Sequence, residues 1–295
     1  MRMPLLMFAF LLPGCLAFHR GPMPGEPEQA TYEEVDGVRL RYVDVGQGPA
    51  VVMLHGFASS LETWTAVIPE LARSHRVLAL DLKGFGWTDR PEGDYSPQAQ
   101  ARLVLELMSK RGIERADFVG HSWGASVALA AAAQAPARVS RLALYDAWAY
   151  EDQLPPFFIW ARAAPFGEAL FAMFYGERAD ERMALAFYDR AYVTEGFVEQ
   201  VERALERPGT AAAALAAVRG QRYLEMERTY REIKNPTLLL WGREDKVAAL
   251  AVGERLLRDL PNAELKVYPR CGHFPMIEAA TQSNRDLLTF LEGGK

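Results

Sequence analysis

Cysteine is scarce in this chain: Cys15 and Cys271 are the only two in 295 residues. Two cysteines cannot build a disulfide framework, and neither belongs to a cluster with metal-ligand spacing, so no metal is expected. Excess positive charge is absent too. The 33 Lys and Arg are outnumbered by 38 Asp and Glu, and no basic stripe interrupts the sequence, which argues against a nucleic-acid partner. No internal repeat is found, and the apolar run Leu5 to Leu12 is too short to cross a bilayer as a stable helix. What remains is ordinary globular material, 50% hydrophobic and 24% charged, enough for one large α/β domain or two smaller ones.

The beginning of the chain has a different character. Arg2 precedes the apolar run, and Pro13-Gly14-Cys15-Leu16-Ala17 follows it, which reads as a secretory signal over residues 1–17. Leu12-Pro13-Gly14-Cys15 also resembles a bacterial lipoprotein signal, although proline at its second position departs from the usual pattern. That resemblance implies lipidation of Cys15 and attachment to a membrane surface; ordinary cleavage after Ala17 is the alternative. An exported protein, periplasmic or membrane-anchored, is the expectation. Residues 18–30, rich in Pro and Gly, read as a flexible tether.

From residue 31 onward, strand and helix signals alternate. Two strand-like runs flank Asp36-Gly37 as a hairpin, and Ala50 to Leu54 is an apolar run fit for a buried strand. Ser59 with Glu62 has the spacing of a capping box before a helix carrying Trp64, Ile68 and Leu71. Further strands are expected at 76–80, 116–119, 139–145, 237–241 and 263–268. Ser96-Pro97 opens one intervening helix. Between about Tyr150 and Ile233 no strand signal appears, only helical stretches broken by Pro and Gly. The expected architecture is α/β: a doubly wound, mostly parallel eight-stranded sheet with helices on both faces. An all-helical cap over 150–233 is inserted after the sixth strand, and residues 31–149 and 234–295 form the core.

The chain is organised around Gly120-His121-Ser122-Trp123-Gly124. An apolar strand runs into it and an alanine-rich helix runs out, which puts Ser122 at the apex of a sharp turn. Such a turn lifts the hydroxyl clear of the sheet. It also aims the Trp123 N–H and the positive end of the helix at whatever the serine attacks. Active residues of such sheets lie beyond the carboxyl ends of the strands. Asp245 and His273 both occupy that position, as does Asp146, a competitor for the role of the acid.

These pieces, with Leu54-His55-Gly56-Phe57, Asp81-x-x-Gly84-x-Gly86, Leu240-Trp241-Gly242-x-x-Asp245 and Gly272-His273-Phe274, resemble the α/β-hydrolase superfamily. The likeness is to its cap-bearing branch of esterase- and epoxide-hydrolase-like enzymes. It implies a triad in which His273 takes the proton of Ser122 and Asp245 orients the imidazole. It implies an oxyanion hole from the backbone N–H groups of Phe57 and Trp123. It implies no cofactor. Serine as the nucleophile argues against the haloalkane dehalogenases and epoxide hydrolases of the branch, which use aspartate. Hydrolysis of a small apolar carboxylic ester leads. Carbon–carbon bond hydrolysis, amide or peptide hydrolysis, and a non-catalytic binding protein are the alternatives. His55 and His121 read as structural. The cap's first part is unusually aromatic, so Phe157, Trp160 and Phe171, with Phe57, Trp123 and Phe274, are expected to line an apolar pocket.

Overall fold

The structure, a computed structural model, describes residues 16–176 and 179–294. Thr31–Val35 (β1) and Val38–Val45 (β2) form the expected antiparallel hairpin. Its turn needs positive φ at both central residues, and Asp36 and Gly37 supply it. Ala50–Leu54 (β3), Ile68–Leu71 (α1), Arg76–Leu80 (β4) and Pro97–Lys110 (α2) follow. Ala116–His121 (β5), Trp123–Gln134 (α3) and Val139–Tyr145 (β6) complete the first half. Ser96 caps α2 as the sequence suggests, its hydroxyl accepting from the Ala99 N–H at 3.2 Å. The Ser59–Glu62 capping box does not form. That segment is a short 3₁₀ turn over Leu61–Trp64, and the Ser59 hydroxyl pairs with that of Thr63 instead.

The chain then leaves the sheet for the cap, whose helices are Pro156–Ala161 (α4), Phe166–Phe174 (α5), Ala179–Ala186 (α6), Glu195–Leu205 (α7), Thr210–Gly220 (α8) and Tyr223–Glu227 (α9). It returns through Thr237–Gly242 (β7), Leu250–Asp259 (α10) and Ala263–Tyr268 (β8), and ends in Pro275–Glu278 (α11) and Ala280–Leu291 (α12). The sheet has eight strands in the order β1-β2-β4-β3-β5-β6-β7-β8. Among these eight strands only the pairings made by β2 are antiparallel; from β4 to β8 every neighbour is parallel.

Alternate residues of the central strands feed two separate cores. Val52, Leu54 and Phe118 point to the side covered by α2, α3 and α10, while Val51, Met53 and Val119 point to the side covered by α1, α11 and α12. Burial on both faces is why β3 and β5 read as continuous apolar runs. The cap is seated by α8, whose Ala213, Ala214, Ala217 and Val218 are fully buried. Small side chains let this helix lie close to the core, and the Tyr230 hydroxyl, donating to the Ala149 carbonyl at 2.5 Å, ties the cap's exit to its entrance.

Residues 18–30 are not a free tether. His19 and Arg90 exchange backbone hydrogen bonds of 2.9 and 2.8 Å. Met23 is buried with its sulfur on the Arg90 guanidinium, and Glu26 is paired with Arg39. Proline and glycine give a flexible chain only where nothing receives it. Here Arg90 and the outer face of the hairpin receive it. The expected lipidation site Cys15 and most of the signal segment lie outside the described residues.

Asp117, near the start of β5, is buried, and desolvation pushes its carboxyl up to about 6 against the partial help of Arg141 at 3.5 Å. A carboxyl raised in the folded state costs stability once pH exceeds its unfolded value near 3.8, and the cost stops growing above about 6. Asp117→Asn should therefore melt at a higher temperature than the parent above pH 6, by up to about 3 kcal/mol in stability, with the gain gone below pH 4. Thermal unfolding of both proteins at pH 3.5 and pH 7.5 checks it; an equal difference at the two pH values would refute it.

Candidate active site

Ser122 joins β5 to α3 with φ +52° and ψ −120°. A non-glycine residue holds such a backbone only where its surroundings over-determine it. Here its N–H donates to the Tyr145 carbonyl at the end of β6 (2.9 Å), and its own carbonyl accepts from the Trp148 N–H (3.1 Å). The flanking glycines answer to close packing. A Cβ on Gly120 would stand 2.7 Å from the Ala125 Cα, and one on Gly124 only 2.3 Å from the Leu54 carbonyl oxygen. Helix α3 therefore starts pressed against the end of β3. The Trp123 N–H, at the first helical position, has no carbonyl a turn earlier to bind. The loop after β3 passes directly beside the serine, since a Cβ on Gly56 would lie 3.1 Å from the Ser122 Cβ. The two expected oxyanion donors, Phe57 and Trp123, thus belong to segments that abut at Ser122.

His273 follows β8, and its Nδ1–H donates to Asp245 Oδ2 at 2.7 Å. Asp245 is held in turn, its Oδ1 accepting the N–H groups of Val247 (2.7 Å) and Ala248 (3.0 Å). The His273 backbone is fixed from two sides: its N–H donates to Ala186 of the cap (2.7 Å) and its carbonyl accepts from His121 Nε2–H (2.8 Å). The His121 and His273 rings are 4.7 Å apart, so the residue beside Ser122 also supports the histidine. With Nδ1 committed to Asp245, Nε2 is the nitrogen left to take a proton.

The remaining polar residues of the motifs hold loops. Buried His55 donates from Nδ1 to the Gly56 carbonyl (2.7 Å) and accepts the Leu82 N–H at Nε2 (2.9 Å), joining the loops after β3 and β4. Burial lowers its pKa, and burial together with the neighbouring His273 holds His121 well below the ordinary histidine value. Both are neutral supports. Asp81 accepts the N–H groups of Leu61 (2.7 Å) and Trp87 (2.8 Å) and the Arg41 guanidinium (3.2 Å). A Cβ on Gly86 would lie 2.1 Å from that carboxylate, the physical reason for the spacing between Asp81 and Gly86. Asp146 is fully buried and accepts the Gly242 N–H at 2.9 Å. Of the two acids, Asp245 is the one that receives the His273 proton donor.

The aromatic surroundings differ from the expected set. Trp160 is 59% exposed on the outer side of α4, because the short helix turns Phe157 and Phe158 inward and leaves its neighbour in solvent. Phe171 is consumed inside the cap, stacked between Phe157 (5.4 Å) and Tyr175 (5.2 Å). Trp123 is fully buried and forms a floor beneath Phe57 (6.3 Å) and Phe85 (5.4 Å). Phe274 stacks on Phe187 of the cap and on His121, each at 4.8 Å. The expected pocket set omits Phe85, Trp148 and Phe158. Phe57 packs at 5.3 Å on both Phe85 and Phe158, and Trp148 stacks on Phe158 at 6.2 Å. Phe158 was signalled by the aromatic run it shares with Phe157. Phe85 lies between Gly84 and Gly86 in a loop with no hydrophobic periodicity to mark it.

Asp245→Asn would replace an acceptor by an amide that can turn a donor toward the imidazole, leaving His273 in the wrong tautomer. Turnover should fall by about four orders of magnitude with little change in KM. Steady-state kinetics on any productive substrate checks this; a loss under tenfold would remove Asp245 from the triad.

The sequence profile of the alpha/beta hydrolase family matches residues 51–284. The 2-hydroxy-6-oxo-2,4-heptadienoate hydrolase of Pseudomonas putida strain F1 is 32% identical over 266 residues, covering 82% of this chain and 88% of that one. Among solved structures, a mutant meta-cleavage product hydrolase from Pseudomonas fluorescens IP01, complexed with acetates, superposes with a TM-score of 0.76 at 28% identity. It covers 89% of this chain and 97% of its own. A membrane phospholipase A described as a bacterial virulence factor gives 0.74 at 25% identity, covering 90% and 86%. With the eight-stranded sheet, the strained serine turn and the His273–Asp245 pair in place, this chain belongs to the α/β-hydrolase family and is a hydrolase.

Proposed function

We propose that the chain hydrolyses a small apolar carboxylic ester through an acyl-serine intermediate. His273 takes the Ser122 proton as the hydroxyl attacks the carbonyl, and the imidazolium so formed is stabilised by Asp245. The N–H groups of Phe57 and Trp123 receive the oxyanion, each worth about 3 kcal/mol in the transition state. His273 then protonates the leaving alkoxide, and water repeats the cycle on the acyl group. The observation that carries the ester reading is the ring cluster of Phe57, Phe85, Trp148 and Phe158 beside the serine turn, an apolar and uncharged wall.

A second reading is favoured by the curated relatives: hydrolysis of a carbon–carbon bond next to a carbonyl. The Pseudomonas putida relative is named for a dienoate, a substrate that carries a carboxylate as well as the keto group. Sequence similarity weighs toward this reading, and the uncharged ring cluster weighs toward the ester. Assays with p-nitrophenyl esters from acetate to octanoate and with a 2-hydroxy-6-oxo-2,4-dienoate separate the two. Ester turnover should dominate. Its specificity constant should rise by up to about fourfold per added methylene, about 0.8 kcal/mol, until the pocket is full. Ser122→Ala should abolish it without loss of folding. Dienoate cleavage with negligible ester turnover would establish the second reading, and a flat acyl-length profile would reject the apolar pocket.

We also propose that the protein is exported and held at a bilayer through a lipidated Cys15. The basic start, apolar run and Gly14-Cys15 support this, and so does the apolar outer side of α4 and α5, where Trp160, Phe166 and Met173 are more than half exposed. Leu16 lies in a cleft of about 760 Å³ shared with Glu168 of α5 and Arg219 of α8, so the anchor would emerge beside the cap. Cys15→Ser should move the protein from the membrane to the soluble fraction of its host. An unchanged membrane fraction would reject anchoring at that residue.

A further inference from the structure

Asp146 and Asp245 form a pair of buried acids. One ligand atom from each, with one from His273, lie within 4.8 Å of one another. Asp146 follows β6 directly in a left-handed conformation (φ +42°), which Asp and Asn tolerate better than other side chains. Its N–H donates to the Leu240 carbonyl, and its Oδ1 accepts the N–H of Gly242 at 2.9 Å, where the loop carrying Asp245 begins. Its Oδ2 is buried and meets no N–H or O–H donor among the described residues; what it faces is the Asp245 carboxyl. Asp245 already collects three donors, from Val247, Ala248 and His273. It is therefore the better seat for the negative charge. Two buried acceptor oxygens facing each other repel unless a proton lies between them, and that proton belongs on the acid with fewer donors.

We propose that Asp146 is a positioning residue for the triad, a neutral carboxylic acid whose Oδ2–H donates to Asp245 while its Oδ1 holds the Gly242 N–H. It fixes the Asp245 carboxylate and ties the start of the loop after β7 to the end of β6, one residue from the Tyr145 carbonyl that accepts the Ser122 N–H. Besides Asp245 and His273, the ionisable groups beside it favour the neutral form or are themselves neutral. Glu278 of α11 adds negative potential, Cys271 is held as the thiol by burial with a raised pKa, and Tyr145 is buried as the phenol. Burial and the Asp245 carboxylate both raise the Asp146 pKa. As pH climbs through that raised value Asp146 loses its proton, the donor becomes a second anion, and the carboxylate beside His273 is pushed out of place.

Asparagine is the hydrogen-bond equivalent of the proposed form: its carbonyl accepts from Gly242 and its amide donates to Asp245, and it cannot ionise. For kinetics the inference rests on the serine-hydrolase reading, and an infrared measurement on the intact chain does not. The parent at pH 7 should show a carboxylic-acid carbonyl band that Asp146→Asn removes. Asp146→Asn should keep kcat within about threefold at neutral pH and extend activity to higher pH, while Asp146→Ala should lose tenfold or more in kcat at little change in KM. If Asp146→Ala fails to fold, the infrared band and the pH profile of Asp146→Asn decide alone. A parent lacking the band, or an Asp146→Asn profile with an unchanged basic limb, would overturn the proposal. So would a folded Asp146→Ala enzyme with full kcat. Absence of all hydrolysis with the band present would instead count against the ester and carbon–carbon readings.

Discussion

Contact between the backbone at Gly124 and the carbonyl of Leu54 sets the distance from which the rest of the site is measured. The two segments approach so closely that a single Cβ at position 124 would collide with the strand end at 2.3 Å. Because they touch, the first N–H of α3 and the loop after β3 converge on one point, and Ser122 is forced into a left-handed backbone to span it. The strain is held by hydrogen bonds to the end of β6, at the centre of the parallel sheet, and from the turn that follows it. A looser fit would separate the Phe57 and Trp123 N–H groups and relax the serine at the same time.

Around that contact, buried polar groups are arranged so that charge is either neutralised or shared. His55 and His121 are each fixed in one neutral tautomer by carbonyl oxygens that can only accept. Asp81 collects two backbone donors and an arginine, at the centre of a loop that must enclose it. Asp245 does the same with two backbone donors and the histidine. Asp146, with one backbone donor and a carboxylate for a neighbour, lacks the means to stay ionised. Donor count separates the two acids where their burial does not.

The cap supplies the wall and part of the support. Ala186 binds the His273 N–H, Phe187 stacks on Phe274, and Glu278 accepts the N–H groups of Tyr188 and Asp189 from the cap while also holding Gly272. Cap position and histidine position are therefore coupled through one short stretch, residues 186–189. The ring cluster of Phe57, Phe85 and Phe158 spans the seam between core and cap, so movement of α4 would alter the rings beside Ser122 without touching the His273–Asp245 pair.

The sequence by itself determined the alternation of strands and helices, the site of the insertion, and the serine turn. Each is local in cause: two-residue alternation against two cores, glycines where a Cβ has no room, and a cap residue before Pro97. It also named His273 and Asp245 through short motifs after β8 and β7. What the motifs could not supply is the contact itself: both acids follow parallel strands, and the tertiary structure brings the His273 Nδ1–H onto Asp245 and leaves Asp146 on the Gly242 N–H. Tertiary structure alone decided that residues 18–30 dock, since the partner of His19 is Arg90, 71 residues away, and no local pattern records that pairing. It also chose which rings reach the site. Trp160 and Phe158 are two residues apart in one aromatic run, and their opposite fates follow from how a single short helix is rotated over the core, a property of the packing and not of composition.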